Sequence, residues 1–527
     1  MKHRNLILRG MLALGALLTA LTLIFPQIGW LEWISMIPLC FAAVVICSDP
    51  SVHLRTVYRY GFFTVYCFYF VLYHWFVRLY PLDFVGLDGG AAIAVIALAW
   101  LGLPILHAVV GGFLFLLFAL MHRSPVFSRA FLLRPFAFAA LWTVFEWCGT
   151  QTFAGVPWGR LALGQVKMLP MLGIASWFGS YAVAFLIVAV NALLAEILLS
   201  HSRALVCGSL AAVLLLSNLT FGLIWKGTSE IGKTVCGAVI QGNISSYEKW
   251  GDESVRKTQE SYRELSLQAA KEGVELIVWP ETTFPYDLNR SDSLRDFVTD
   301  VATECRVPIL VGALFRDAEN REYNALYLVL PDGTISENYY AKRHLVPFGE
   351  YVPARDLIMT LVPPLANLSA LNDELTPGTA PAILTVPLKG GDLRVGSLIC
   401  FDSIYEILAL ESAREDIGLM VISSNDSWFY DSAAVYQHEA QAQLRAIETG
   451  KPILRSANTG ISAIISAKGE NLQTVAPLMD GYAVGEVTVT NETTLYTKVG
   501  NLAVWICMAA ILILTVCGLP PIRKRKS

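Results

Sequence analysis

Three short motifs in the second half of the chain contain a carboxylate, a cation and a thiol in a fixed order. The motifs are WPET (279–282), YAKRHLVPFGEYVP (340–353) and SLICFDS (397–403). A cysteine thiol becomes a nucleophile when a base removes its proton, and the oxyanion that forms next needs a cation or N–H donors. The residue types therefore predict covalent catalysis, with Glu281 as the base, Lys342 as the oxyanion-stabilising cation and Cys400 as the nucleophile.

Taken singly, each of these residues has a simpler explanation. A glutamate where a buried strand ends can cap a helix or pair with an arginine, and most lysines are solvated surface residues. A cysteine at the end of an apolar strand is most often a small buried hydrophobic residue. The order of the three residues and their flanking sequences favour the catalytic interpretation.

The elements that must position these side chains are expected between residues 227 and 497. Helical patterns at 251–271 and 434–449 alternate with β-rich runs, and PDG (331–333) and AKG (467–469) are typical of hairpin turns. The predicted strands lie at 233–242, 274–280, 307–314, 324–330, 393–400, 419–425, 453–458 and 461–467. Mixed strands with helices on both faces predict an α/β sandwich with a single core.

The chain as a whole is too apolar for a soluble enzyme. Of its 527 residues, 55% are hydrophobic and 16% are charged, and the mean hydropathy is +0.52. Apolar runs of about 20 residues can cross a bilayer as helices. Such runs are predicted at about 5–24, 29–48, 57–79, 91–120, 135–150, 172–199, 204–225 and 499–519. We therefore expect a polytopic α-helical membrane domain of about eight spans, seven of them at 1–226, a globular domain at 227–497, and a last span with a basic tail at 498–527.

Lysine and arginine positions predict the orientation of the spans. Both ends of the chain are basic, with Lys2, Arg4 and Arg9 at one end and RKRK (523–526) at the other. The connectors after the second, fourth and sixth spans also carry arginines, and the opposite connectors are poorer in cations. This distribution predicts cytoplasmic ends and a globular domain on the outer face of the cytoplasmic membrane. The first span is long and lacks a clear cleavage site, so we expect it to be retained.

Composition disfavours several other classes of function. Most of the ten cysteines lie in or beside predicted spans, so we expect no disulfide framework. The sequence has no CxxC or histidine-rich spacing, and we expect neither a metal nor another cofactor. A pI of about 6.1 without a basic globular patch predicts no nucleic-acid partner. A transporter would carry ionisable residues at several mid-membrane positions, whereas the predicted spans hold few besides Glu146 and Glu196.

The triad motifs resemble those of the nitrilase, or carbon–nitrogen hydrolase, superfamily. Within that superfamily, KRHLVPFGEYVP (342–353), with membrane spans before and after the domain, is similar to the bacterial apolipoprotein N-acyltransferases. Further strings that resemble this family are spread over the chain. They are ALWTVFEW (140–147), FAGVPWG (153–159), QGN (241–243), SNDSWF (424–429), QH (437–438) and LRAIETGKPILRSANTGIS (444–462).

The resemblance implies an αββα nitrilase-like sandwich and an acyl transfer at the membrane surface. Cys400 would attack the ester of a phospholipid donor and form a thioester, and the lysophospholipid would leave. The α-amino group of a diacylglyceryl-cysteine, the first residue of a lipoprotein, would then accept the acyl chain as an amide. The implied partners are the phospholipid, the lipoprotein acceptor and the membrane lipids, and we expect a monomer.

The resemblance also implies roles around the triad. Glu350 matches the family's second glutamate, which would orient Lys342 or the substrate. The backbone N–H of Phe401 would add an oxyanion donor, and Trp250 matches a tryptophan near the site. The family usually has Cys-Tyr-Glu at the nucleophile, whereas this chain has Cys-Phe-Asp ending at Asp402. Because Cys-Tyr-Asp is closer to soluble nitrilases, a membrane-tethered amidase is the alternative function.

An apolar segment at 356–368 directly follows the LVPFGEYVP motif. Pro363 and Pro364 prevent a continuous helix there, so the segment is expected either to pack as a core loop or to dip into lipid and admit acyl chains. The residues expected to contact lipid are Leu357, Ile358 and Leu361, with Trp158 on an opposing wall. A non-enzymatic lipid-binding protein would not need the three triad residues together.

Overall fold

The computed structural model describes residues 2–82, 87, 89–124, 127, 129–151, 155–245, 252–356, 360 and 374–518. The chain divides into two compact units. The first contains Met1–Val77, Ile96–Gly227 and Val499–Ser527, and the second contains Arg78–Val95 and Thr228–Lys498. The first unit is helical, and the second contains the β-sheets.

Long apolar helices dominate the N-terminal part of the chain and recur near its C-terminus. The α-helices that the structure describes in these two regions are Lys2–Ile24, Glu32–Ser35, Ile37–Cys47, Leu54–Leu72, Gly89–His122, Leu133–Cys148, Ala175–Phe178, Ser180–Leu199, Ala204–Gly227, Leu495–Val499 and Leu502–Gly518. Six helical segments of the described chain are long and apolar enough to cross a membrane. They are His3–Ile24, Pro26–Cys47, Leu54–Leu79, Gly89–His122, Ser180–Leu199 and His201–Gly227.

The bounds of the described helices differ from three of the predicted spans. The run at 135–150 is the helix Leu133–Cys148, with 16 residues, and the run at 499–519 is the helix Leu502–Gly518, with 17 residues. These lengths lie at the short limit of the about 17–25 residues that can cross the hydrocarbon core, and both spans stay predictions. The predicted span at 172–199 begins only at Ser180, because Gly179 (φ +77°) takes a left-handed conformation and separates two helices.

Buried amide side chains satisfy the backbone where the first unit's helices are interrupted. The Gln165 amide donates to the carbonyl of Gly29 at 2.8 Å. The Asn191 amide donates to the carbonyl of Glu32 at 2.9 Å, and its oxygen accepts from the N–H of Met36 at 2.8 Å. Such partners are required because irregular backbone has no water to bond in an apolar environment.

Two mixed β-sheets form the second unit. The strands are β1 (Lys233–Gln241), β2 (Leu276–Val278), β3 (Phe284–Asp287), β4 (Ile309–Arg316), β5 (Glu322–Val329), β6 (Ile335–Ala341), β7 (Ile383–Val386), β8 (Leu393–Ile399), β9 (Leu419–Ser424), β10 (Ile453–Ala457), β11 (Ser462–Ile465), β12 (Asn471–Val475) and β13 (Gly481–Val489). The first sheet has the order β13-β1-β2-β4-β5-β6, with β3 paired to β4, and the second has the order β12-β11-β10-β9-β8-β7. The centres of both sheets are parallel, and their outer strands are antiparallel.

Alternating apolar residues give the first sheet two buried faces. Val235 and Val239 of β1 pack in the core between the sheets, whereas Ala238 and Ile240 lie in the core on the outer face. This is the period of two expected of a strand. The sheets approach closely at Gly237, where a Cβ atom would lie 2.6 Å from a Leu454 methyl group.

Amphipathic helices cover the outer faces of the sandwich. Asp252–Ala270 and Asp292–Cys305 contribute to the outer core of the first sheet. Glu406–Arg414 and Ala433–Thr449 contact strands of the second sheet. The αββα sandwich predicted from the family resemblance is therefore confirmed.

Five strands, β3, β6, β7, β12 and β13, were not among those predicted. β6 is ISENYYA, a polar and mostly half-buried run at a sheet edge, so it lacks the apolar alternation that marks a strand. The turns at PDG and AKG are confirmed, because Gly333 (φ +85°) and Gly469 (φ +76°) lie between β5 and β6 and between β11 and β12.

Candidate active site

Each of the three triad residues lies just after the end of a strand of the sandwich. Glu281 lies three residues beyond β2, Lys342 follows β6, and Cys400 follows β8. β2, β4 and β6 run in the same direction, because β4 pairs parallel with β2 and two antiparallel steps separate it from β6. Glu281 and Lys342 therefore share one edge of the first sheet, and Cys400 ends a parallel strand of the second.

The ammonium group of Lys342 is buried between two carboxylates. Its Nζ donates to Glu281 Oε1 at 2.8 Å and to Glu350 Oε1 at 2.9 Å, and the lysine is 1% exposed. Burial alone would lower the pKa of Lys342, but the charges of Glu281 and Glu350 raise that pKa well above its usual value. Lys342 is therefore a fixed cation in this site.

Asn324, a residue of β5 that the sequence analysis missed, ties the two carboxylates together. Its Nδ2 donates to Glu281 Oε1 at 2.8 Å and to Glu350 Oε1 at 3.3 Å. The other oxygen of Glu350 accepts the backbone N–H of Val346 at 2.8 Å. Both bonds to Glu281 go to the same oxygen, so its second oxygen is the one suited to take a proton.

Cys400 has an unusual backbone conformation for a residue with a side chain. Its φ is +49°, in the left-handed region, and it begins a short 3-10 turn, Cys400–Ile404. A non-glycine residue there is strained and persists only when its surroundings enforce it. The turn places a sharp corner between β8 and the following chain at the nucleophile.

The thiol of Cys400 is protonated at rest. Burial raises its pKa, the charge of Glu281 raises it further, and the charge of Lys342 and a hydrogen bond from the backbone of Asn425 lower it. The raising effects prevail. A thiol in this state needs a base at the moment of attack, and Glu281 is a carboxylate whose charge acts on that thiol.

Asp402 joins the loop that carries Lys342 to the turn that carries Cys400. Its carboxylate accepts the Tyr340 hydroxyl at 2.8 Å, the N–H of His344 at 2.7 Å and the N–H of Ile399 at 3.1 Å. It is fully buried, and burial raises its pKa to about 6, against the opposing effects of the His344 N–H and of the Lys342 charge. Asp402 therefore fixes the backbone around Cys400, the predicted nucleophile.

A second buried cluster lies beside the nucleophile, and sequence reasoning assigned it no role. His438 Nδ1 is 2.7 Å from Asp426 Oδ1, and Arg455 donates to Asp426 Oδ2 at 2.7 Å. His438 Nε2 is 3.2 Å from the carbonyl oxygen of Cys400 and 3.1 Å from Ser403 Oγ. Burial opposes ionisation, but His438 and Arg455 lower the pKa of Asp426 to about 2. The strings SNDSWF, QH and LRSAN already contained these residues, but no spacing between them indicated a contact.

A thiol, a carboxylate oxygen and a ring nitrogen of Cys400, Asp426 and His438 lie within 4.8 Å of one another. These are atom types that can bind a metal ion. However, the guanidinium of Arg455 already occupies one oxygen of Asp426, and His438 occupies the other. Both carboxylate oxygens of Asp426 are therefore already bonded to protein groups, so the donor set does not fit a metal ion.

The remaining predicted residues are placed as follows. Phe401 is half-buried, and its ring packs edge-on against Tyr405 at 5.5 Å. Trp158 is 3% exposed in the first unit and packs against Trp75 at 5.7 Å, so its role in lipid access stays a prediction. The others, Trp250, Leu357, Ile358 and Leu361, lie outside the described residues.

The two-sheet sandwich with glutamate, lysine and cysteine at its strand ends defines the class of carbon–nitrogen hydrolases, and residues 237–493 match that family's model, Carbon-nitrogen hydrolase. Residues 15–193 match a second model, Apolipoprotein N-acyltransferase N-terminal domain. The chain belongs to the apolipoprotein N-acyltransferase family.

Relatives that match almost the whole chain support this membership. The apolipoprotein N-acyltransferase of Geobacter metallireducens is 30% identical over 95% of this chain and 93% of its own length. That of Gloeobacter violaceus is 30% identical over 96% of this chain and 94% of its own. Among solved structures, Saccharomyces cerevisiae Nit3, a member of branch 10 of the nitrilase superfamily, matches with a TM-score of 0.38 and 17% identity, over 50% of this chain and 92% of that one.

Asp402→Asn tests the positioning of the nucleophile turn. An amide in place of the carboxylate turns one acceptor into a donor that faces N–H and O–H donors, so we expect a loss of about 1–3 kcal/mol of stability. We also expect slower modification of Cys400. In the wild type, Asp402 is ionised above about pH 6 and neutral below it, so the rate should fall as the pH drops through about 6. The Asn variant, which is neutral at every pH, should lack this decline.

The stability effect of the same group has the opposite sign. The folded-state pKa of Asp402, about 6, lies above its ordinary value of 3.8, so folding takes up a proton between these values. The contribution of Asp402 to stability is therefore fully present below about pH 4 and is lost as the pH rises through about 6. Thermal unfolding and the rate of Cys400 modification, each measured from pH 4 to 8, check both trends. A decline near pH 6 that persists in Asp402→Asn would assign it to another group.

Proposed function

We propose that this enzyme transfers a fatty acyl chain from a phospholipid, through a thioester on Cys400, to the N-terminal amine of the diacylglyceryl-cysteine of an apolipoprotein. The observation that carries the proposal is the buried Lys342 held by Glu281 and Glu350 beside a neutral Cys400 thiol. Family membership supports lipoprotein N-acylation rather than the membrane-tethered amidase.

In the first half-reaction, Glu281 takes the proton of the Cys400 thiol as the sulfur attacks the ester carbonyl of the phospholipid. The carbonyl oxygen becomes an oxyanion, which the Lys342 ammonium and the N–H of Phe401 stabilise. The intermediate collapses and the carbon–oxygen bond breaks. Glu281 returns its proton to the departing oxygen of the lysophospholipid, and the acyl group remains on Cys400 as a thioester.

In the second half-reaction, the lipoprotein amine attacks the thioester carbonyl. A second oxyanion forms and is stabilised by the same groups. Glu281 accepts a proton from the amine as the new carbon–nitrogen bond forms. The carbon–sulfur bond then breaks, and Glu281 returns the proton to the sulfur, which restores the Cys400 thiol and releases an amide.

Glu350 and Asn324 act on Lys342 and Glu281 rather than on the acyl group. Two carboxylates on one ammonium hold it charged and in place, and Asn324 fixes the oxygen of Glu281 that does not take the proton.

The apolar helices of the chain support an acyl transfer between lipids. Helices of this length and composition place the enzyme in the bilayer, which also holds both lipid substrates. We further propose that the enzyme is a multi-pass monomer of the cytoplasmic membrane with its globular domain outside.

Cys400 should become acylated when no acceptor is present. Purified enzyme incubated with phospholipid should show one acyl adduct by intact mass, and hydroxylamine should remove it. Cys400→Ser should show no adduct. After addition of a diacylglyceryl-cysteine peptide, the adduct should be lost quickly and an N-acyl peptide should appear, whereas an N-acetylated peptide should leave it intact. Rapid release of free fatty acid regardless of the peptide would contradict transfer and favour the amidase.

Glu281→Gln and Lys342→Met should slow formation of the thioester without preventing folding. The first variant keeps the volume but removes the base, which typically contributes about 10²–10⁴ in rate. The second keeps the aliphatic stem but removes the cation, and loss of one oxyanion donor costs about 10²–10³. The rate of thioester formation is measured by intact mass after the reaction is quenched at successive times. Thermal unfolding of each variant is the control for folding. A Glu281→Gln variant that folds and forms the thioester at a near-normal rate would remove Glu281 as the base.

A membrane-impermeant amine label should reach the globular domain in intact spheroplasts. The distribution of Lys and Arg around the spans is the reason. Exposed lysines of the second unit should be modified before lysis, whereas lysines of the basic tail should be modified only afterwards. Mass mapping of the labelled peptides makes this distinction within one sample. The reverse pattern would overturn the proposed orientation.

A further inference from the structure

The His438–Asp426–Arg455 cluster is buried beside the nucleophile and takes no part in the mechanism described above. The three residues are at most 1% exposed, and they come from a helix, a loop and a strand: Ala433–Thr449, the segment after β9, and β10. Burying charged groups away from water costs free energy unless they form ion pairs and hydrogen bonds with one another. The ion pair between Arg455 and Asp426 does so at 2.7 Å and fixes Asp426 as a carboxylate beside His438.

The ring of His438 bridges this ion pair to the backbone of the nucleophile. Nδ1 lies 2.7 Å from Asp426 Oδ1, and Nε2 lies 3.2 Å from the carbonyl oxygen of Cys400. A carboxylate oxygen and a carbonyl oxygen only accept hydrogen bonds, so the two approaches are favourable together only when both ring nitrogens carry a proton. The hydroxyl of Ser403 donates to the same carbonyl at 2.7 Å. Two donors therefore converge on one backbone oxygen.

That oxygen belongs to the residue with the strained conformation. A left-handed backbone is unfavourable for a residue with a side chain, so Cys400 keeps φ +49° only if contacts hold it there. The carbonyl of Cys400 lies in the peptide plane that also carries the N–H of Phe401. Fixing this carbonyl therefore fixes both the nucleophile and a proposed oxyanion donor.

We propose that His438 is a positioning residue, whose Nε2–H, oriented by Asp426 and Arg455, holds the carbonyl of Cys400 and thereby aims the thiol and the following N–H at the acyl carbon. The inference rests on the proposed function and adds a residue to it that touches neither substrate. A misplacement of about 1 Å at a reacting atom can cost about 10²-fold in rate.

Two amide variants separate the two contacts of the ring. The amide nitrogen of Gln takes the position of Nε2, and that of Asn takes the position of Nδ1. His438→Gln therefore keeps the donor to Cys400, whereas His438→Asn keeps the donor to Asp426 and loses the contact with Cys400. Thr449→Val is the matched control, because Thr449 is fully buried on the same helix. Its hydroxyl donates to the carbonyl of Arg445 in that helix at 2.7 Å.

The first measurement is the rate of Cys400 thioester formation by full-length enzyme in vesicles of phosphatidylethanolamine and phosphatidylglycerol. His438→Gln should react within about 5-fold of wild type, and His438→Asn about 10²-fold more slowly at saturating phospholipid. The phospholipid concentration that gives the half-maximal rate should be unchanged, because His438 does not touch the lipid. Thr449→Val should match wild type. Equal rates for the Gln and Asn variants would overturn the proposal.

The second measurement needs no phospholipid and separates this proposal from the proposed function. Iodoacetamide alkylates a positioned thiol directly, and its rate at Cys400 is read by peptide mapping, with Cys400→Ser as the blank. His438→Asn should be alkylated at least about 10-fold more slowly than His438→Gln. A wild type that is alkylated but never acylated would contradict the proposed function alone. Should His438→Asn fail to fold, a folded His438→Gln variant that is as slow as Asp426→Asn in alkylation would still overturn the positioning role.

Discussion

The ammonium of Lys342, buried between Glu281 and Glu350, is the interaction on which the rest of the catalytic unit depends. Removing a charge from water costs several kcal/mol, and only close opposite charges with satisfied hydrogen bonds compensate for it. Here two carboxylates lie within 2.9 Å of Nζ, and Asn324 bonds both of them. The same arrangement keeps two like-charged carboxylates together, since without the cation their repulsion would act across a few ångströms in a medium of low dielectric.

Strand direction explains how residues so far apart in the chain meet around that cation. β2 and β6 run the same way, so their carboxyl ends deliver Glu281 and Lys342 to one edge. Asn324 lies on β5, whose antiparallel pairing with β6 sets it next to the residue that follows Ala341, and Lys342 N–H donates to the Asn324 carbonyl at 2.8 Å. Asp402 then links this edge to the second sheet through Tyr340.

The triad could be predicted from the sequence because each member lies in a distinctive string, and two of those strings end apolar strands. Asn324 could not be predicted in this way. A single polar residue in an apolar strand cannot be distinguished from a solvent-facing residue until the pairing of the strands is known. β6 was not predicted for a related reason, because its mostly half-buried side chains show no apolar period. The membrane helices were found by composition, but the break at Gly179 depends on a backbone conformation that hydropathy does not register.

The neutral state of the Cys400 thiol has a consequence for acyl transfer. A thiolate would be a better nucleophile at rest, but it would also be a target for oxidation and a worse match to an apolar acyl chain. Burial keeps the proton on the sulfur, and in the proposed mechanism Glu281 removes it, so the charge develops only when an ester carbonyl is in place to share it. Both half-reactions then pass one proton back and forth between sulfur, Glu281 and the substrate, while the Lys342 cation stays fixed. Against the opposing effect of burial, His438 and Arg455 lower the pKa of Asp426 to about 2, so Asp426 stays a carboxylate that can orient His438.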